Sequence, residues 1–170
     1  TGVPVRSALL NLPRRELAKA RLGLDQEKQS LVVFGGSQGA RSINDAVIAL
    51  VDGEGIPAGW QVLHVTGERD YERVSAAAGD REVVRSYLDD PADAYAAADL
   101  VLARAGASTL AELAALRLPA ILVPYPYAAE GHQAANAAAA AATGSAVVIE
   151  DASLAQALRC LLYTSDAADD

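Results

Sequence analysis

The residues of this chain able to do chemistry fall in three clusters. The first, Gly35-Gly36-Ser37-Gln38-Gly39-Ala40-Arg41, links a short apolar run, Leu31-Val32-Val33-Phe34, to a helix-patterned segment. Glycines at such a junction let backbone amides approach a phosphate, and the following helix N-terminus adds partial positive charge. The Ser37 hydroxyl would add a donor. A tight strand-to-helix turn also needs glycine for its conformation alone, so a phosphate cradle and a bare turn both fit. A nicotinamide dinucleotide site fits less well. Phe34 stands where Gly-x-Gly-x-x-Gly needs its first glycine, and Val65-Thr66-Gly67 ends the second apolar run without the expected ribose-binding acid. No Gly-Lys-Ser/Thr is present, which excludes a P-loop.

The second cluster is Arg104-Ala105-Gly106-Ala107-Ser108-Thr109, with Glu112 beyond it. The spacing Thr109-x-x-Glu112 is that of a capping box, in which Glu112 satisfies orphan amides of a helix start; on spacing alone this is the favoured reading. A carboxylate in that place can instead accept both hydroxyls of a ribose. The third cluster, His132, Gln133 and Asn136, precedes an alanine run. Gln133 and Asn136 are three apart and share a helix face, as suits sugar hydroxyls or a solvated helix start equally. His132 alone reads as a surface histidine rather than a base, and His64, inside an apolar run, as structural. No metal constellation is visible: Asp89-Asp90-Pro91 reads as a helix N-cap. The single cysteine, Cys160, excludes an internal disulfide and any multi-cysteine zinc site.

The elements that must position these clusters alternate between strand-like and helix-like runs. Strands are expected at Leu31–Phe34, Trp60–Val65, Val83–Leu88, Leu100–Ala103, Ala120–Val123 and Ala146–Ile149, with helices between them, including Ala40–Val51, Pro91–Ala98, Thr109–Leu116 and the alanine run Ala134–Ala142. Short apolar strands alternating with helices indicate βαβ units and a parallel sheet covered on both faces. The fold class is therefore α/β, a Rossmann-like doubly wound parallel sheet, in which ligands sit outside the carboxyl ends of the strands. Residues 1–29 read as a linker, 30–159 as the nucleotide-binding domain, and 160–170 as a tail without native structure.

At 170 residues, 52% apolar and 21% charged, the chain suits one domain with an ample core. A net charge of −8 disfavours nucleic acid as a partner, yet leaves a phosphate-bearing small molecule possible at a local helix terminus. No stretch reaches the roughly 18 apolar residues of a membrane span, and the chain reads as soluble and cytosolic. It begins at Thr1 and contains no methionine, which points to a piece of a longer protein.

Taken in order, Thr1-Gly2-Val3-Pro4-Val5-Arg6, the glycine loop, Tyr87-Leu88-Asp89-Asp90, Arg104-Ala105-Gly106-Ala107 with Glu112, and Pro124-Tyr125-Pro126-Tyr127 through His132-Gln133-x-x-Asn136 resemble one family over residues 1–150. It is the family of bacterial peptidoglycan glycosyltransferases that move N-acetylglucosamine from UDP-GlcNAc to lipid I, giving lipid II. The resemblance implies the donor-binding C-terminal half of a two-domain GT-B enzyme. By it, Gly36, Ser37, Gln38 and Gly39 would face the diphosphate, approached by Arg6 from the linker. Leu88 would read the uracil edge through its backbone, with Ala107 nearby. Glu112 would hold the ribose, reversing the preference for a cap. Gln133, with His132 or Asn136, would bind the GlcNAc hydroxyls. Gly131 stands where the family usually has an acid, for which Glu130 is the nearest substitute. The resemblance implies no metal and no cofactor. The general base, the lipid I site and the membrane contact at the cytoplasmic face would belong to a missing N-terminal half, and no Gly-x-Gly-Gly-His occurs here. The chain alone is then expected to bind UDP-GlcNAc without turning it over, with marginal solubility. The helix after the sixth strand is expected to be truncated near Arg159. Two alternatives remain: a stand-alone nucleotide-binding module, and an epimerase or other glycosyltransferase of the same fold.

Overall fold

A computed structural model describes residues 5–35, 40–53, 55–128 and 131–166. Six parallel strands form one sheet: β1 (Gln29–Phe34), β2 (Trp60–Val65), β3 (Glu82–Arg85), β4 (Leu100–Ala103), β5 (Ala120–Leu122) and β6 (Ala146–Val148). Their spatial order is β3-β2-β1-β4-β5-β6, the order of a doubly wound dinucleotide-type sheet. The register sets Phe34 beside both Val65 of β2 and Ala103 of β4, so three strand ends finish level at the same edge.

Strand composition explains why both faces are covered. In β1, Leu31 and Val33 point to one face and Val32 to the other, and all three are fully buried. With Val62, Leu102, Ile121 and Val123, the first face meets α2 (Arg41–Asp52) and α7 (Leu154–Asp166). The opposite face, with Leu63, Val65, Val101, Ala103 and Leu122, meets α1 (Arg15–Leu22), α4 (Ala92–Ala97), α5 (Ala107–Leu116) and α6 (His132–Ala142). A short helix, α3 (Tyr71–Ala77), leads from β2 to β3. Continuous apolar strands buried on both sides are what a parallel sheet requires.

Three expectations need correction. The segment read as a linker is part of the domain. Helix α1 lies along α4, and Leu9, Ala18, Leu22 and Leu24 enter the core. Its buried stripe is only Ala18 and Leu22, spaced i and i+4 among charged residues, so the apolar signal is faint. Lys19, on the same face, is 2% exposed and donates from Nζ to the carbonyls of Gln26 and Lys28. Burial pushes its pKa down, helped by the nearby Arg15.

The tail is corrected in the same way. Helix α7 does not stop near Arg159 but runs to Asp166. Leu154, Leu158 and Leu162 fall at i, i+4 and i+8 and are each at most 1% exposed, packing on α2. The Tyr163 hydroxyl donates to Gly55 O at 3.2 Å. The apolar spacing persists past the point where the acidic composition suggests a break.

The third correction concerns β3, which ends at Arg85, leaving Leu88 in the following loop. Asp90 stands one residue before the N-cap of α4, which is Pro91. Its Oδ1 accepts the Ala92 N–H at 2.9 Å, and α4 begins at Ala92.

Candidate functional site

The sheet order places the switch point between β1 and β4. The chain leaving β1 turns to α2 on one face, and the chain leaving β4 turns to α5 on the other. Between these two exits lies the crevice that such sheets use for ligands.

At the first exit, Gly35 donates its N–H to Val65 O at 3.0 Å. A Cβ at Gly35 would stand 3.1 Å from Ala40 N, 3.2 Å from Val65 O and 3.3 Å from Thr66 O. Glycine is needed there because three backbone segments meet with no room for a side chain. Gly36, Ser37, Gln38 and Gly39 lie outside the described residues. Helix α2 opens after Ala40, which brings no side-chain acceptor to its first amides, and an uncapped helix start is where an anion binds.

Helix α5 opens at the second exit after Gly106, again without a side-chain cap. Ala107 is its first residue, so Thr109 and Glu112 lie inside the helix, too far along for a capping box. Glu112 is instead 7% exposed. Its Oε2 accepts the Tyr95 hydroxyl at 2.7 Å, and its Oε1 lies 3.4 Å from Arg6 Nε. Tyr95 thereby has its pKa raised, by burial first and then by the hydrogen bond to Glu112. Arg6 is 63% exposed. A buried carboxylate with one fixed partner and one exposed partner retains lone pairs for a ligand hydroxyl.

The third cluster closes the crevice from the side of β5. Gln133 Oε1 accepts the Tyr125 N–H at 2.9 Å, and Asn136 Nδ2 donates to Ala105 O at 3.3 Å. Both amides thus face the loops after β4 and β5, as their three-residue spacing implies. His132 is exposed at the start of α6. Gly131 precedes it at φ +66°, a left-handed conformation that favours glycine, while Glu130 lies outside the described residues. A cleft of about 1040 Å³ opens beside this cluster, lined in part by Tyr125, Tyr127, Ala134 and Asp151.

Spacing alone gave no role to Arg104, which stands at the exit of β4. From the end of β4 it donates to Val123 O at 3.2 Å, to Asp151 Oδ1 at 2.6 Å and to Ser42 Oγ at 2.8 Å. Ser42 also donates to Asp151 Oδ1 at 2.9 Å, and the guanidinium lies 5.4 Å from the Tyr125 ring centroid. One planar cation therefore joins the first turn of α2, the loop after β5 and the turn after β6. Asp151 and Ser42 are 109 residues apart, so no local pattern marks them. Among the described residues, no group of three or more His, Cys, Asp or Glu could hold a metal ion.

A doubly wound sheet with helix N-termini at its switch point defines this as a Rossmann-like nucleotide-binding type of domain. Residues 30–166 match the glycosyltransferase family 28 C-terminal domain, and the chain belongs to that family. It is 42% identical over 163 residues to the UDP-N-acetylglucosamine–N-acetylmuramyl-(pentapeptide) pyrophosphoryl-undecaprenol N-acetylglucosamine transferase of Desulforamulus reducens, covering 91% of this chain and 44% of that protein. The transferase of the same name from Chlorobium limicola is 45% identical over 158 residues, covering 91% of this chain and 42% of that protein. The crystal structure of Acinetobacter baumannii MurG aligns with a TM-score of 0.73 and 28% identity, over 92% of this chain and 45% of that one. The chain spans less than half the length of the curated relatives it matches.

Proposed function

We propose that this chain is the donor-binding half of an inverting glycosyltransferase that moves GlcNAc from UDP-GlcNAc to lipid I, yielding lipid II. The observation that carries the reading is Glu112: a nearly buried carboxylate at the mouth of β4, released from any capping duty, across the switch point from the bare N-terminus of α2. That pairing suits a nucleoside diphosphate, with an acid for the ribose and amides for the phosphates.

In this reading Gly36, Ser37, Gln38 and Gly39 present donors to the diphosphate. Arg6, exposed and bound to Glu112 through one contact, exchanges that partner for phosphate. Leu88 and Ala107 border the uracil. Glu112 accepts the ribose hydroxyls. Gln133 and Asn136, with His132 at the rim, meet the GlcNAc hydroxyls, consistent with the two amides already facing the crevice. No metal or cofactor takes part. As UDP departs, the loop amides and the α2 terminus stabilise its developing charge. The general base, the lipid I site and the contact with the cytoplasmic face of the membrane lie in the part of the longer relatives that this chain does not span. No helix among the described residues is long and apolar enough to cross a membrane.

Calorimetric titration of the chain with UDP-GlcNAc, UDP-glucose and NADH, without divalent metal, tests the reading. UDP-GlcNAc is expected to bind best, with Ser37→Ala and Glu112→Ala each weakening it by about tenfold or more. Folded protein that binds none of the three would refute the donor-site assignment. A preference for UDP-glucose would redirect it to another sugar.

A further inference from the structure

His64 and Asn44 lie beneath the first exit of the site, both fully buried, and neither reaches the crevice. Their hydrogen bonds are more restrictive than a core pair requires. Asn44 Nδ2 donates to Thr66 O at 3.0 Å and to Asp70 Oδ2 at 2.9 Å. A carbonyl and an ionised carboxylate only accept, so the amide has one orientation and its Oδ1 faces His64 Nε2, 2.9 Å away. Nε2 is therefore the donor. On the other side of the ring, Nδ1 lies 2.8 Å from Glu82 Oε1, and the Glu82 side chain is 2% exposed. With Nε2–H already committed to Asn44, the Nδ1–Oε1 contact holds the ring from its other side.

The charged groups around this chain of bonds come from each neighbouring element. Glu82 belongs to β3 and His64 to β2. Asp70, beyond Asn44, sits in the turn before α3 and pairs with Arg73 at 2.9 Å. Arg73 in turn meets Asp45 of α2 at 2.7 Å. Hydrogen bonds from Arg73 and then Asn44, against the opposing effect of burial, hold the Asp70 carboxyl below its usual range.

The position of Thr66 O gives the network a consequence. Asn44 grips the same carbonyl that stands 3.3 Å from where a Cβ of Gly35 would lie, and Ala40 N is 3.1 Å from that point. The root of the glycine loop, the end of β2 and the start of α2 are thus in contact. Any movement of α2 along β2 must be felt at both ends of the loop.

We propose that Asn44, oriented by the His64–Glu82 pair, is a positioning residue that fixes the N-terminal end of α2 against β2 and so presents the first amides of that helix to the donor diphosphate. This rests on the donor-site reading above. An alanine at 44 leaves Thr66 O, Asp70 and His64 without their partner. An aspartate would set a carboxylate against two acceptors.

The test is calorimetric titration with UDP-GlcNAc of the parent chain, Asn44→Ala, Glu82→Ala and Glu82→Gln. Thermal melting and amide hydrogen exchange at residues 40–43 are followed in parallel. Asn44→Ala and Glu82→Ala are expected to bind about tenfold more weakly and to exchange faster at those amides. Glu82→Gln is expected to restore binding, since its amide can donate to Nδ1 while a neutral ring keeps Nε2–H for Asn44. Unchanged affinity in a folded Asn44→Ala, or a Glu82→Gln variant that binds no better than Glu82→Ala, would overturn the proposal. If the parent chain binds no UDP-GlcNAc, the donor-site reading fails instead. Exchange at residues 40–43 then decides the positioning role alone, and equal rates in parent and Asn44→Ala would end it. If Asn44→Ala does not fold, the two Glu82 variants carry the comparison.

Discussion

The two mouths of the crevice are built on opposite plans. Helices α2 and α5 both start at the switch point without a side-chain cap, yet only α2 is clamped from both sides. Ser42 is held by Arg104 and Asp151, and Asn44 by Thr66, Asp70 and His64. At α5 the key group is Glu112, fixed by Tyr95 on its buried side and by the exposed Arg6 on the other. A rigid helix end suits the site of charge development, because donors set in advance need no reorganisation when negative charge appears. An acid with an exchangeable partner suits the hydroxyl end, where a ligand must enter and leave. On the proposed reading, the two sites at one crevice differ in how their supports are built as well as in residue type.

The sharpest way to break this comparison is Arg104→Ala. It removes a mostly buried cation and leaves Asp151 unpaired beside Ser42, which should destabilise the chain by about 3 kcal/mol. Chemical denaturation would read the loss, and a change under 1 kcal/mol would mean that the clamp is incidental. Tyr95→Phe acts at the other mouth and should cost less, about 1 kcal/mol of stability. Its effect on UDP-GlcNAc affinity should be at most severalfold, because the ligand can still engage the carboxylate. A Tyr95→Phe variant that abolished binding would show that Glu112 is as rigidly specified as α2, erasing the contrast.

Acid provides the gentlest probe. The Asp70 carboxyl titrates below its unfolded value, so its stabilisation is fully present above the unfolded pKa of about 4 and is lost as pH falls through the folded one. The stability gap between parent and Asp70→Asn should therefore be constant from neutrality down to that point and then close on further acidification. A gap that stays constant throughout would uncouple Asp70 from the α2 clamp.

Local patterns made most of the sheet legible. The apolar runs Leu31–Phe34, Trp60–Val65 and Leu100–Ala103 became strands with little change, since strands buried on both faces are continuous in sequence. The glycine junction at Gly35 was equally readable. Helix α1 was not, because its buried stripe amounts to Ala18 and Leu22. The end of α7 was missed because acidic composition masked Leu162. Glu112 was misread as a cap on spacing alone, since Thr109-x-x-Glu112 has the right letters whether the helix opens at Ala107 or three residues later, at Leu110.

By itself, then, the sequence determined the strand–helix alternation, the switch-point loops and the residue types available there, all set by hydrophobic periodicity and turn chemistry within a few neighbours. Only the tertiary structure decided which of those residues act together. Arg104 meets Asp151 across 47 positions, and Tyr95 meets Glu112 across 17. His64 is joined to Asn44 and Glu82 from two other elements. Each of these partnerships depends on the strand order that brings distant loops to one edge of the sheet. Hydrogen bonds are short-ranged and directional, so they report where the chain has folded rather than how its letters are spaced.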